Sequence, residues 1–196
     1  MSLPEIFERT RQPLKLASPP LAEELDTLPG TPTVISFTMQ TQKAEFWCWA
    51  AVASSVSRHY SSGSQWTQCL VANSLLGVGH CCANENSPGC NRMASLEGAL
   101  GVTGNLAPNG VKNLPATPDE VRGQIRDRRR MIGCGIRWAD TRGHFVVIHG
   151  YSFDANGVMW LAIADPRYGP SEYPYPAFIN RYRETGRWLV SYATEP

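Results

Sequence analysis

An alanine-rich helix that opens on a cysteine is the feature that most limits how this chain can fold. Cys48, Val52, Val56 and Tyr60 recur at every fourth position, a spacing that predicts one buried stripe along an amphipathic α-helix. The alanines between them are strong helix formers, and the run Ser61-Ser62-Gly63 predicts the helix end. The cysteine therefore lies in the first turn of the predicted helix.

Cys48 is the first candidate catalytic residue. The positive end of the helix dipole lies at the N-terminus and favours a thiolate over a thiol. Cysteine is also a strong nucleophile near neutral pH. A lone cysteine is, however, more often a buried core residue, so a catalytic interpretation requires partners elsewhere in the chain.

A hairpin in the C-terminal half supplies those partners. The apolar strand 143–151 has His144 at its entrance, and Asn156-Gly157 is a strong hairpin turn signal. The return strand ends at Asp165. A four-residue loop makes Asp165 the diagonal neighbour of His144 on one face, whereas a two-residue Asn-Gly loop moves it further away. A carboxylate beside an imidazole stabilises its protonated form, as a base serving a thiol requires.

His149 is the rival candidate for the base. It lies five residues after His144, so on a regular strand the two side chains point to opposite faces and His149 faces away from Asp165. We interpret His149 as a structural histidine. His59 and His80, in a helix tail and a loop, carry no catalytic expectation.

The motif Gln42-x5-Cys48-Trp49, followed by His144-x5-Gly150-Tyr151, resembles the papain-like cysteine peptidases. The resemblance runs from Thr38 to Trp188. It is closer to bacterial members with Trp-Cys-Trp-Ala-Ala at the nucleophile and Asp-Pro at the third position. These members include secreted effector proteases of plant pathogens and, more distantly, leader-cleaving peptidase domains of bacteriocin exporters.

The resemblance implies a two-lobed, papain-like α+β fold with the active cleft between a helical lobe and an antiparallel sheet. It implies that Cys48 is the nucleophile, that His144 is the general base and acid, and that Asp165 orients His144. It also implies that the Gln42 side chain and the backbone N–H of Cys48 donate hydrogen bonds to the oxyanion.

Three departures from papain concern the surroundings of this site. Papain uses asparagine where this chain has Asp165, a variation known within the family. Glu45 stands where papain carries a disulfide cysteine, and Phe46-Trp47 replaces the Gly-Ser pair before the nucleophile. Because the last two changes concern the substrate cleft, the resemblance does not transfer specificity.

The predicted function is a cysteine peptidase that hydrolyses peptide bonds without a metal or another cofactor. The same catalytic set also serves an amidase or deamidase, including a cell-wall amidase, and an acyl transferase in which an amine replaces water. A catalytically silent binding module is the alternative from a different class, because a fold alone never guarantees function.

Chain length, hydrophobic content and net charge indicate how many domains the chain forms and which partners it is expected to bind. A chain of 196 residues with 42% hydrophobic content can form one compact domain. Its net charge of +1 does not indicate nucleic acid or an anionic membrane as a partner. No stretch approaches the length of a membrane-spanning helix. The expected partner is a protein or peptide substrate, and the sequence does not predict an oligomeric state.

The order of the elements predicts an α+β fold, because helices dominate from Cys48 and strands from Met131. Residues 1–33 are interrupted by many prolines and are interpreted as an extended leader or pro-segment, with the peptidase domain over 34–196. This leader lacks the basic start and apolar core of a secretory signal peptide. Residues 34–39 alternate like a short strand.

Four cysteines lie close together among Gly, Asn, Ser and Pro: Cys69, Cys81, Cys82 and Cys90. Their spacing departs from the Cys-x2-Cys pattern of zinc sites, so disulfides are favoured over a metal site or reduced thiols. Adjacent cysteines rarely bridge each other, which predicts that Cys81 and Cys82 each pair with Cys69 or Cys90. Two such bridges predict an oxidising destination and hence a secreted protein. Cys134 is expected to be a buried thiol.

Overall fold

The computed structural model describes residues 31–140 and 142–196. A group of helices comes first and an antiparallel sheet follows, which confirms the α+β class. The helices are α1 Cys48–Tyr60, α2 Gln68–Leu76, α3 Leu96–Thr103, α4 Pro118–Arg122, which continues into a π-helical turn Gly123–Asp127, and α5 Tyr175–Arg181. The strands are β1 Thr33–Val34, β2 Leu106–Lys112, β3 Ile132–Arg137, β4 Gly143–Phe153, β5 Met159–Asp165, β6 Gly169–Pro174 and β7 Arg187–Thr194.

The strands form one sheet in the order β2-β7-β3-β4-β5-β6, with every neighbouring pair antiparallel. The short strand β1 pairs with β4 beyond the end of β3. Gly150 permits this approach, because a Cβ atom there would lie 2.8 Å from Val34 Cγ2 and 3.0 Å from the Thr33 carbonyl oxygen. The glycine of the Gly-Tyr motif therefore has a packing role at the edge of β4.

Helix α1 is the centre of the molecule. Its predicted bounds are confirmed, but the prediction of a single buried stripe is wrong, because every residue from Cys48 to Ser57 is buried. The helix packs against α2, α3 and β4. Small alanine and serine side chains allow this close approach, and the hydroxyls find partners: Ser54 donates to the Trp66 carbonyl at 3.0 Å and Ser55 to the Ala51 carbonyl at 2.6 Å.

Capping residues explain where the shorter helices begin. Thr67, Ser95 and Thr117 each accept a hydrogen bond from a backbone N–H of the first turn of α2, α3 and α4. Helix α4 starts at Pro118 with a capping box formed by Thr117 and Glu120, and it widens into the π-helical turn at Gly123.

Two of the strands also differ from the predictions. The strand expected over residues 34–39 is reduced to β1, and β2 has no counterpart in the predictions. Most of the expected leader, residues 1–30, lies outside the described residues. Among the helices of the described part of the chain, none combines the length and apolar character needed to cross a membrane.

Two disulfide bonds hold the loop between α2 and α3. They join Cys69 to Cys82 and Cys81 to Cys90, so each of the adjacent cysteines bonds to a distant one, as predicted. Cys48 and Cys134 are the free cysteines of the described residues and both are buried. Burial strongly raises the pKa of the Cys134 thiol, as expected for a structural cysteine.

Candidate active site

Cys48 is the first residue of α1, and its side chain is 8% exposed at the floor of a cleft. No side chain caps this helix end: the preceding Trp47 contributes only its carbonyl, which accepts from the Ala51 N–H at 2.9 Å. The first N–H groups of a helix lack intrahelical partners, and they carry the positive end of the helix dipole. The sulfur of Cys48 therefore sits in a position that stabilises negative charge.

The two tryptophans beside Cys48 hold the helix end in place. The indole N–H of Trp47 donates to the Cys90 carbonyl at 2.7 Å, and that of Trp49 donates to the Arg92 carbonyl at 3.1 Å. The backbone N–H of Phe46 donates to the Asn91 side chain at 3.0 Å. The loop held by the disulfides thus receives three hydrogen bonds from the residues around the nucleophile. The two tryptophans of the Trp-Cys-Trp motif therefore anchor the nucleophile to this loop.

The hairpin of β4 and β5 brings His144 and Asp165 to the same end of the sheet. Across the turn, Phe153 pairs with Met159, which leaves residues 154–158 as the connection instead of the predicted four-residue loop. A one-residue change of register turns a side chain to the opposite face. This change alone would separate Asp165 from His144.

A β-bulge in β4 shifts the register of β4 and β5 by one residue before the strands reach His144 and Asp165. Ile148 pairs with Ile163 and Gly150 with Ala162, so that His149 is the extra residue on β4. Beyond the bulge the strands run in the register that the four-residue loop, one of the two alternatives from sequence, would give. The Nδ1 atom of His149 lies 3.0 Å from the Ile35 carbonyl, away from Cys48, as expected for a structural histidine.

The imidazole of His144 lies between Cys48 and Asp165. Its Nε2 atom is 2.9 Å from Asp165 Oδ1, and the imidazole lines the same cleft as Cys48, with which it interacts electrostatically. The His144 side chain is 7% exposed and that of Asp165 is fully buried. The structure therefore brings three of the four predicted site residues into one continuous chain of contacts.

Four hydrogen bonds hold the Asp165 carboxylate in place. Its Oδ1 atom accepts hydrogen bonds from the backbone N–H groups of Arg167 at 2.7 Å and Tyr168 at 3.0 Å, in addition to His144. Its Oδ2 atom accepts from the Tyr182 hydroxyl at 2.6 Å. Tyr182 is fully buried after α5. Sequence reasoning missed this residue, because no motif spacing links it to the other site residues.

Electrostatics favour a protonated imidazole at this site. Burial alone would lower the pKa of His144, but the hydrogen bonds to Asp165 and Cys48 and the charges of these groups raise it to about 9. Burial raises the pKa of the Asp165 carboxyl, but its bonds to His144, Tyr182 and the Arg167 backbone outweigh burial, so the net pKa lies below the ordinary value. At neutral pH the pair is therefore an imidazolium and a carboxylate.

Two aromatic rings flank the His144 imidazole. The Trp138 ring centroid lies 5.8 Å away, and Tyr168 meets the imidazole edge-on at 6.1 Å. The Arg183 guanidinium stacks on Tyr168, 4.1 Å from the ring centroid. These contacts limit water around the imidazole and fix the orientation of its ring.

Gln42 lies on the loop that precedes α1, and its backbone N–H donates to the Pro166 carbonyl at 2.9 Å. This bond ties the loop to the end of β5. The side-chain nitrogen donates to the carbonyls of Ala44 at 3.0 Å and Glu45 at 2.6 Å. The structure thus places Gln42 beside the site, with its amide held by the turn that leads to Cys48.

The fold and this set of side chains define a papain-like cysteine peptidase. A family model described as the papain-like cysteine protease AvrRpt2 matches residues 32–183. Because this match covers most of the chain, the chain belongs to that family, and the resemblance seen in the sequence is confirmed.

The similarity of this chain to solved structures is weaker than its match to the family. Among solved structures, the crystal structure of the Pseudomonas avirulence protein AvrPphB is similar, with a TM-score of 0.37 and 13% sequence identity over 82% of this chain and 98% of that chain. A similarity at this level does not bear on the chemistry of the present site. No curated protein matches the chain.

We predict that Tyr182→Phe shifts the pH dependence of peptide hydrolysis. Loss of the hydroxyl leaves Asp165 Oδ2 without its donor, and a carboxylate that loses a hydrogen bond has a higher pKa. The acidic limb of the kcat/KM profile should therefore move to higher pH. The rate at the optimum should fall about tenfold, in line with a hydrogen bond to a charged group.

Tyr175→Phe is the matched control for this variant. It removes a phenol hydroxyl that donates to the Ala116 carbonyl at 2.9 Å, away from Asp165. Its acidic limb should coincide with that of the native protein. An unshifted limb in Tyr182→Phe would show that Tyr182 only fills space.

Proposed function

We propose that the chain hydrolyses peptide bonds through a catalytic triad of Cys48, His144 and Asp165. The observation that carries this proposal is an imidazole that is hydrogen-bonded to a buried carboxylate and shares its cleft with a helix-terminal cysteine, whose sulfur interacts with it. A raised pKa keeps this imidazole protonated, so that it pairs with a thiolate and has a proton to give to a leaving group.

The reaction proceeds by acyl transfer. The Cys48 thiolate attacks the carbonyl carbon of the scissile bond and forms a tetrahedral intermediate. The imidazolium of His144 gives its proton to the leaving nitrogen as the C–N bond breaks, and a thioester remains on Cys48. Neutral His144 then removes a proton from water, which attacks the thioester and releases the acid product. Asp165 stays ionised throughout and holds the imidazole in position.

The oxyanion requires hydrogen-bond donors on the other side of the sulfur. The backbone N–H of Cys48, at the open helix end, is one proposed donor, and the side-chain amide of Gln42 is the second. An amide nitrogen carries two N–H groups. Because Gln42 donates to two adjacent carbonyls in the free protein, we propose that it releases one of them when the oxyanion forms.

The wider role of the protein is proposed from the family and the disulfides. We propose a bacterial effector that is secreted and cleaves a protein substrate. The two disulfides support an oxidising destination. Residues 1–33 as a leader, and 34–196 as the catalytic domain, remain part of this proposal. Membership of a protease family favours peptide bonds over the amidase, the transferase and the silent module.

The test of this function is the labelling of Cys48 with an epoxide inhibitor of papain-type enzymes, read by peptide mass spectrometry. We expect one modified cysteine, Cys48, and no labelling of buried Cys134. Cys48→Ala should abolish turnover of a casein substrate and retain the native melting temperature. Full proteolysis by Cys48→Ala, or labelling confined to Cys134, would refute the assignment.

Gln42→Ala tests the oxyanion donor. Removal of one such donor is expected to lower kcat about 10²-fold while KM changes little, because the hydrogen bond strengthens only in the transition state. Gln65→Ala serves as the control, since the Gln65 amide bonds only to the nearby Gly63 carbonyl in the described residues. Equal kcat values in Gln42→Ala and the native protein would remove Gln42 from the mechanism.

A further inference from the structure

The cleft that contains Cys48 has two chemically different walls. It encloses about 340 Å³. The wall from the helical lobe is largely apolar, and the wall from the sheet carries arginines. The helical wall consists of Glu45, Phe46, Trp49, Met93 and Ala94, and the sheet wall consists of Arg137, Arg142, Gly143, Phe145 and Arg167, with His144 beside Cys48.

The arginines of the sheet wall differ in their partners. Arg142 is already paired, because its Nε atom lies 2.7 Å from Asp140 Oδ2. Arg137, the last residue of β3, is exposed and takes part in no ion pair within residues 31–140 and 142–196. Arg167 on the same wall is likewise exposed and without an ion pair in the described residues, so the sheet side carries two such cations, and Arg137 is the one that lies on a strand of the sheet.

A second arginine increases the positive charge at this point. Arg137 pairs directly with Arg187 of β7 across the sheet, and Arg187 is also exposed and without an ion pair in the described part of the chain. Like charges directly opposite each other on neighbouring strands are unfavourable. An anion that binds between or beside them would relieve this repulsion.

Arg137 also lies where the cleft continues along the sheet. A second depression of about 140 Å³ shares Arg137, Gly143, His144 and Phe145 with the cleft and extends over Leu189, Val190 and Tyr192. A peptide that leaves Cys48 in this direction meets Arg137, which lines both the cleft and the depression.

We infer that Arg137, supported by Arg187, forms a subsite for an acidic side chain of the substrate. This inference rests on the proposed peptidase function and names the substrate class: peptides with Asp or Glu near the scissile bond. The planar guanidinium matches a carboxylate through two parallel hydrogen bonds. The apolar residues that surround it, Phe145 and the helical wall, bind the neighbouring side chains of the peptide.

The experiment compares amidated fluorogenic peptides that carry Glu, Gln or Lys at each position around the scissile bond. At one position we expect kcat/KM to be about threefold to fivefold higher for Glu than for Gln, the size of a partly exposed ion pair. Arg137→Gln should abolish this preference, and Arg137→Glu should reverse it in favour of Lys. Because every peptide is amidated, the preference reports a side chain and not a terminal carboxylate.

Arg58→Gln is the control, because it removes the same charge from the exposed end of α1 and should keep the Glu preference. The inference is overturned if Glu and Gln are equivalent at every position, or if the preference survives in Arg137→Gln.

Binding to Cys48→Ala separates this inference from the proposed function. The same peptides are measured by fluorescence anisotropy, without turnover. Preferential binding of the Glu peptide without any hydrolysis by the native protein would keep the acidic subsite and refute the peptidase. Hydrolysis with no Glu preference in rate or in binding would keep the peptidase and refute the subsite.

Discussion

The site depends on the His144 imidazole, which interacts with both Cys48 and Asp165. His144 belongs to the sheet, whereas Cys48 begins the central helix, and the two side chains interact where both halves of the fold line the cleft. Asp165 supplies the negative charge that keeps the imidazole protonated despite burial. Tyr182 and the backbone after β5 in turn hold the carboxylate. Removal of Asp165 or of the Tyr182 hydroxyl leaves a buried charge or donor without its partner, which is costly in a low-dielectric interior.

Cys48 is held in position by the hydrogen bonds of the two neighbouring tryptophans. The indoles of Trp47 and Trp49 bond to the loop that the disulfides close, so the position of Cys48 depends on a segment with almost no regular structure. A loop of this kind cannot bury enough apolar surface to define its own shape, and cross-links reduce the freedom of its unfolded chain. The same loop leads into Met93 and Ala94 of the cleft wall, which connects the disulfides with the shape of the substrate site.

Much of this arrangement is predictable from sequence, because it depends on local signals. The helix from Cys48 and the hairpin at Asn156-Gly157 follow from residue type and spacing. The bulge at His149 was not predictable, because it is a property of the pairing between β4 and β5 and no residue type on β4 marks the extra residue. The full burial of α1 was also missed, since hydroxyls that look polar in sequence find partners only in the folded chain. Tyr182 reaches Asp165 through tertiary packing alone.

His144 is an imidazolium in the free protein if Asp165 and Cys48 hold its proton as described, and an NMR pH titration of the His144 ring protons measures this. The resonance, assigned by its loss in a His144→Gln variant, should titrate with a pKa near 9. In Cys48→Ala it should titrate at lower pH, because the hydrogen bond and the charge of the sulfur are gone. A titration near the ordinary value of 6.5, unchanged by Cys48→Ala, would contradict the account.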